Sequence, residues 1–306
     1  MSNYRVCSST SLGYRLYDEE EKCFSVHPIR GKLSFREGNP IPGDYVTMDE
    51  DGAIVSVLPR RTALSRPRLA NADIVLLIVS AKNPVFSSFL LDKFLTLLNY
   101  SRLSAEIVLT KCDLLTPYEK RSLKKRMSSY TGIGYPVFFL SDKGEKKDDF
   151  GKLLKTFPRK TVALMGQTGV GKSTLLNRIS PGFSRKVDEF DILSGRGRHT
   201  TKEVILLPFE DGYLMDTPGF SELLLTGIPK VALSQCFPGF GPYFSLCKFN
   251  DCLHLEGTKG CEVCRQVENN TLSVESYGNY IRILEEADDA NGGETWKKKA
   301  ESGRRS

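Results

Sequence analysis

The stretch TVALMGQTGVGKSTLLNRI, residues 161–179, limits what this chain can fold into more than any other. An apolar run that reads as a buried strand leads into G-x-x-x-x-G-K-S, and a helical pattern follows directly. Gly166, Gly169 and Gly171 let the backbone curl so that successive N–H groups face phosphate oxygens, and the helix that starts there adds its positive dipole end. Lys172 is placed for the β- and γ-phosphates, and the Ser173 hydroxyl for Mg²⁺. The competing reading, a glycine-rich turn with no ligand, has no reason to sit between a strand and a helix. An α/β core with a mainly parallel sheet follows.

Downstream, Asp216-Thr217-Pro218-Gly219 closes the apolar strand GYLM, where the carboxylate can serve Mg²⁺ and the Gly219 N–H can meet a γ-phosphate. Between these motifs lies GRGRHTTKE, residues 195–203, polar and glycine-rich as a mobile switch should be. Thr200 or Thr201 can supply a hydroxyl to Mg²⁺, and the sequence leaves that choice open. Phe220 follows the DTPG run, at a position where many nucleotide hydrolases carry the glutamine that orients water. A phenyl ring cannot do so, which makes His199 in the switch the candidate for positioning water. The competing role for His199 is to cap the loop or touch RNA.

Upstream stands Thr110-Lys111-Cys112-Asp113, of the form [N/T]-K-x-D, after the strand AEIVL and before a helical stretch. Asp113 can accept hydrogen bonds from the N1–H and 2-amino group of guanine; adenine would leave that carboxylate unpaired, which disfavours an ATPase. Lys111 would pack along the base, Thr110 would brace the phosphate loop, and LSDKG at 140–144 would supply a second base loop, with Asp142 departing from the alanine usual there. The parts of a GTPase are therefore all present, with the base reader ahead of the phosphate loop. Circular permutation is the simplest account, since surface loops and neighbouring termini tolerate it.

The remaining segments read as flanking domains. Short alternating runs across the first sixty-odd residues (NYRVCSST, GYRLY, KCFSVHPI, GKLSF, IPGDYVTM, GAIVSVLP) predict a small β-barrel, and PRRTALSRPR at 59–68 reads as a basic linker. The arginines of that linker suit solvent or a phosphate contact equally. His27 reads as an ordinary barrel residue. Half of the eight cysteines fall in CKFNDCLHLEGTKGCEVC, a C-x4-C-x-H-x6-C-x2-C pattern. Three thiolates and an imidazole make a closed, structural zinc set, Cys247, Cys252, His254 and Cys261, with Cys264 as substitute or spare; reduced cysteines in a loop are the alternative. Net charge of +6 permits a polyanionic partner without requiring one. The best apolar run, Ile74–Val79, is too short to span a bilayer, and MSNYRVCSST lacks the apolar core of a signal peptide, so a cytoplasmic protein is expected.

PGDYV, PRRTALSRPRLANAD, TKCDLL, GQTGVGKSTLLN, GRGRHTTKE, DTPGF and the cysteine cluster together resemble the ribosome small-subunit-dependent GTPase A family (RsgA, also called YjeQ), across nearly the whole chain. The resemblance implies an N-terminal OB-fold barrel at 1–64, a circularly permuted P-loop GTPase domain at 65–222 and a mostly helical zinc domain at 223–306. It also implies a monomeric factor in late maturation of the bacterial small ribosomal subunit, bound to that subunit's rRNA and stimulated by it to hydrolyse GTP. The rival is a nucleotide-gated rRNA-binding module with little catalysis. Two departures stand out: His254 to Cys261 is one residue longer than usual, and Lys202 replaces a common threonine. The expected nucleotide contacts are Thr110, Lys111, Cys112, Asp113 and Ser141 at the base, and Gly166, Gln167, Thr168, Gly169, Val170, Gly171, Lys172, Ser173 and Thr174 at the phosphates. Thr200, Thr201, Asp216 and Gly219 complete the set; Mg²⁺ falls to Ser173, Thr201 and Asp216, and catalysis to His199 and Lys172.

Overall fold

Two strands rich in branched apolar residues, β8 (Ile74–Ser80) and β11 (Thr161–Gly166), are buried along almost their whole length and pair in parallel, Ile74 opposite Val162 and Ile78 opposite Gly166. Burial on both faces is what a central parallel strand requires. In the computed structural model they form the middle of a six-stranded sheet ordered β10-β9-β8-β11-β13-β12, the others being β9 (Ser104–Thr110), β10 (Val137–Phe139), β12 (Ile205–Phe209) and β13 (Gly212–Asp216). All pairings are parallel except the β12–β13 hairpin. The chain runs outward from β8 to one edge, returns to the centre at β11, and then fills the other edge. The structure describes residues 4–30, 38–141, 148–183, 203–219, 223, 225 and 227–291, with the backbone alone for 288–291.

Ahead of the sheet, β1 (Tyr4–Thr10), β2 (Gly13–Asp18), β3 (Cys23–His27), β4 (Tyr45–Met48) and β5 (Ile54–Val57) form an antiparallel sheet in the order β3-β2-β1-β4-β5. A bridge between Ile29 and Ile54 curls its two ends toward each other, as barrel closure demands, around Val6, Leu16, Val46 and Ile54. The predicted strand GKLSF, at 31–35, lies outside the described residues. The segment expected to be a linker is ordered instead: β6 (Ala63–Ser65) and β7 (Arg68–Ala70) make a hairpin because Leu64 and Leu69 have a core to enter, at 3% and 0% exposure.

The chain divides into two compact units, the first comprising Met1–Val85, Leu103–Lys120 and Pro136–Ser221, the second Phe86–Arg102, Arg121–Tyr135 and Glu222–Ser306. In the first, the barrel meets the core sheet through a buried cation: the Arg5 guanidinium lies between the Tyr45 and Tyr213 rings, 4.8 and 4.2 Å from their centroids, and donates to Thr161 Oγ1 at 2.7 Å. The PGDYV motif works at the same seam. Asp44 is fully buried and pairs with Arg60, which donates to both of its carboxylate oxygens at 2.8 and 2.7 Å, while Asn71 donates to the Gly43 carbonyl at 3.0 Å. Arg61 pairs with Asp73 at 2.6 Å. Two arginines of the supposed linker are thus part of the joint.

In the second unit α1 (Ser88–Tyr100), N-capped by the Ser87 side chain, packs beside α5 (Lys230–Cys236) and α8 (Val274–Asn291). Its buried Asp92 accepts from Tyr130 of α2 (Pro117–Gly132) and from Asn279 and Ser276 of α8. Among the described residues no helix is long and apolar enough to cross a membrane.

Candidate nucleotide site and metal centre

Parallel register brings the ends of four strands, β8, β9, β11 and β13, to one edge. Ser80 sits opposite Thr110, Ile78 opposite Gly166, and Leu164 opposite Asp216. Ligands of open parallel sheets bind at that carboxyl edge, beside the point where chain direction across the sheet reverses, which here is β8 and β11.

The loop leaving β11 turns through Gly171, whose φ of +91° puts it in the left-handed region at the N-cap of α4 (Lys172–Ile179). This conformation aims the first N–H groups of α4 out of the sheet edge. Ser173 and Thr174 are exposed there, whereas Leu175, Leu176 and Ile179 anchor the opposite face in the core. Lys172 Nζ bonds to Asp216 Oδ1, joining the phosphate loop to the end of β13. Thr217 Oγ1 donates to the Leu164 carbonyl at 2.6 Å, and Gly219 lies so close to Thr168 that a Cβ on it would stand 3.0 Å from Thr168 Oγ1. The DTPG run is therefore pressed against the phosphate loop. A hydroxyl and a carboxylate at this edge are the hard oxygen donors that Mg²⁺ takes, so Ser173 and Asp216 fit the ion.

The base tetrad reaches the same loop from β9. Thr110 Oγ1 donates to the Val170 carbonyl at 2.5 Å. Lys111, with φ of +57°, turns its side chain back so that Nζ donates to the carbonyls of Gly169 and Asn83 at 2.6 and 2.5 Å. Asp113 and buried Cys112 lie in a short 3₁₀ turn, Cys112–Leu114. Beyond it Thr116 and Glu119 form a reciprocal capping box at the start of α2, at 3.3 and 2.7 Å, and Lys82 grips both Glu119 oxygens at 3.0 and 3.2 Å. The Thr116 N–H and then Lys82 hold the Glu119 carboxyl well below its usual range, at about 2. Lys82 and Asn83 were not anticipated as parts of this site; the only signal was their place just after a core strand. Ser141 is buried, and its carbonyl accepts from Arg178 of α4 at 3.2 Å. His199, Thr200, Thr201 and Phe220 lie outside the described residues, as do Asp142, Lys143 and Gly144 of that base loop.

In the second unit Cys247, Cys252, His254 and Cys261 are buried together, their ligand atoms all within 4.8 Å of one another. His254 Nδ1 lies 3.6 Å from Cys247 Sγ and 3.4 Å from Cys261 Sγ, and the two sulfurs are 4.0 Å apart. A tetrahedron with Zn–S bonds of about 2.3 Å has edges of about 3.8 Å, so the set fits a zinc-sized ion. Burial pulls the His254 imidazole down to about 4 and pushes the Cys252 and Cys261 thiols up to about 12. Aromatic packing fixes the cradle: Phe240 meets the His254 ring edge-on at 5.4 Å, and Tyr280 and Tyr277 donate to the Leu253 and His254 carbonyls at 2.6 and 2.8 Å. Cys264 stands aside from the set, with its sulfur on the carbonyls of His254 and Leu255.

Known proteins share this arrangement. The model of the RsgA GTPase family matches residues 57–226. The small ribosomal subunit biogenesis GTPase RsgA of Enterococcus faecalis is 39% identical over 89% of this chain and 90% of its own length. That of Bacillus subtilis is 36% identical over 94% of this chain and 98% of its own. The crystal structure of YjeQ from Thermotoga maritima superposes with a TM-score of 0.78 at 33% identity, covering 94% of this chain and 98% of that one. YloQ, described as a circularly permuted GTPase, gives 0.74 at 33% identity over 94% and 96%. With a phosphate loop, a base tetrad and a DxxG run gathered at one sheet edge in permuted order, and with relatives matching over nearly its full length, this chain belongs to the RsgA GTPase family and is a GTP hydrolase.

Proposed function

We propose that this protein hydrolyses GTP as a late assembly factor of the small ribosomal subunit, with the subunit raising its turnover. The observation that carries the reading is the tie between base reader and phosphate loop, Thr110 on Val170 and Lys111 on Gly169, which makes guanine recognition and phosphate binding one rigid site. Asp113 reads the base, with Cys112 and Ser141 beside it, and the 166–174 loop cradles the phosphates. Lys172 moves from Asp216 to the β- and γ-phosphates when nucleotide binds. Ser173, Asp216 and Thr200 or Thr201 would hold Mg²⁺, which would supply neutralisation of the charge on the phosphates. Gly219 senses the γ-phosphate, and His199 orients the attacking water in place of the glutamine that Phe220 displaces.

The barrel at 1–64 and the zinc domain at 223–306 flank the GTPase domain at 65–222 and meet rRNA phosphates and unpaired bases. Cys247, Cys252, His254 and Cys261 would hold zinc, which would supply folding energy to the domain at 223–306. A monomer acting in the cytoplasm fits this role.

A turnover assay with GTP and ATP, with and without purified small subunits, is the test. Stimulated hydrolysis of GTP alone is expected; absence of stimulation overturns the reading. Phe220 favours one rival, a nucleotide-gated RNA-binding module, for which the same assay shows GTP-dependent binding without turnover.

A further inference from the structure

Cys264 is the cysteine that the four-donor set leaves over. It follows Cys261 by one helical turn: Cys261 is the N-cap of α7 (Glu262–Glu268), and the Cys264 N–H donates to Cys261 Sγ at 3.4 Å. Residues so spaced hold their Cα atoms about 5–6 Å apart, within the span a disulfide bridges. The Cys264 thiol rests on the ligand loop, 3.4 Å from the carbonyls of both His254 and Leu255 and 3.9 Å from the Tyr277 hydroxyl. It is half-buried, whereas Cys247, Cys252 and Cys261 are exposed by only 8%, 8% and 6%. Of these four thiols, Cys264 is therefore the one a small oxidant reaches most readily.

We propose that Cys261 and Cys264 form a thiol-oxidation site for peroxides that withdraws Cys261 from the metal set, an inference that rests on the zinc reading above. The Cys264 sulfur attacks a peroxide oxygen, the O–O bond breaks, the thiol proton leaves with the departing oxygen as water, and a sulfenic acid remains. The Cys261 thiolate then attacks that sulfenyl sulfur, an S–S bond forms, and the S–O bond breaks to release hydroxide, which takes a proton from solvent to become water. Two thiols have lost two electrons to one peroxide. Cys264 can take the first step with no metal bond broken, and the second step breaks one. Cys247, Cys252 and His254 stay in place, so reduction of the disulfide restores the full set.

The test uses the full-length zinc-loaded protein and hydrogen peroxide, with released zinc read by a colorimetric chelator and disulfides mapped by peptide mass after free thiols are blocked. Zinc release should accompany a Cys261–Cys264 disulfide, and a dithiol reductant with added zinc should reverse both. Cys264→Ser should release zinc several-fold more slowly and without that reversibility. A first disulfide joining other cysteines, or wild-type release from Cys264→Ser, overturns the proposal. Metal analysis of the untreated protein keeps the two readings apart: protein purified from zinc-replete medium without zinc refutes the zinc assignment, while the mapped disulfide still decides the pairing.

Discussion

The Lys111 ammonium holds two loops at once, donating to the carbonyls of Gly169 in the phosphate loop and Asn83 after β8. Charge-assisted bonds of this kind are stronger than neutral ones, so Lys111→Met should weaken GTP binding by about tenfold or more. Thr110→Ala removes one neutral bond, to Val170, worth about 1 kcal/mol, and should cost a few-fold. Titration with a fluorescent guanine nucleotide checks both. Unchanged affinity in the pair would show that the two loops are not coupled.

Asp113→Asn should exchange the base that is read. On the proposed reading the carboxylate would accept from the guanine N1–H and 2-amino group, whereas an amide would present a donor that suits the C2 carbonyl of xanthine. The variant should lose most GTP turnover and gain XTP turnover, measured side by side at equal concentrations. Loss of both activities with an intact fold would remove Asp113 from base recognition.

Arg60 and Arg61 are neighbours with different work. Arg60→Ala strands the fully buried Asp44 carboxylate and should cost about 3–5 kcal/mol in denaturant unfolding. Arg61→Ala breaks an exposed pair with Asp73 and should cost less than about 1 kcal/mol. If Arg60 were instead a phosphate contact, its loss would leave stability alone and reduce the salt dependence of RNA binding.

Much of this was legible in the sequence because the motifs are short, local and bound to strand ends. A glycine-rich loop after a buried strand, and an aspartate closing another, fix their own geometry. The pairings that join distant segments were not legible. Nothing local says that Arg60 will meet Asp44, that Lys82 will seize a capping box at Glu119, or that PRRTALSRPR contains a hairpin. Those outcomes depend on which surfaces fold against each other, and a basic, proline-punctuated run reads the same whether or not a core awaits it. The cysteine spacing shows the intermediate case: chemistry selected the donor types and favoured Cys261 with Cys264 as substitute or spare, and the fold gathers those four with Cys264 to one side.

Asp92 should make the second unit's stability depend on pH in a particular direction. Burial pushes its carboxyl from 3.8 up to about 6, against the opposing hydrogen bonds from Asn279, Tyr130 and Ser276, and the Glu275 charge adds to the rise. The folded state thus binds more protons than the unfolded chain between those values. Its contribution is fully present below pH 3.8 and is lost as pH rises to about 6. Asp92→Asn removes the titration, so variant stability relative to wild type should climb by about 2 kcal/mol between pH 4 and 6 and level off above about pH 7. Acid loss of a bound metal affects both proteins alike and cancels in the difference. Urea unfolding across that range gives the measurement, and a difference that stays flat with pH would show that the Asp92 carboxyl titrates alike in the folded and unfolded chain.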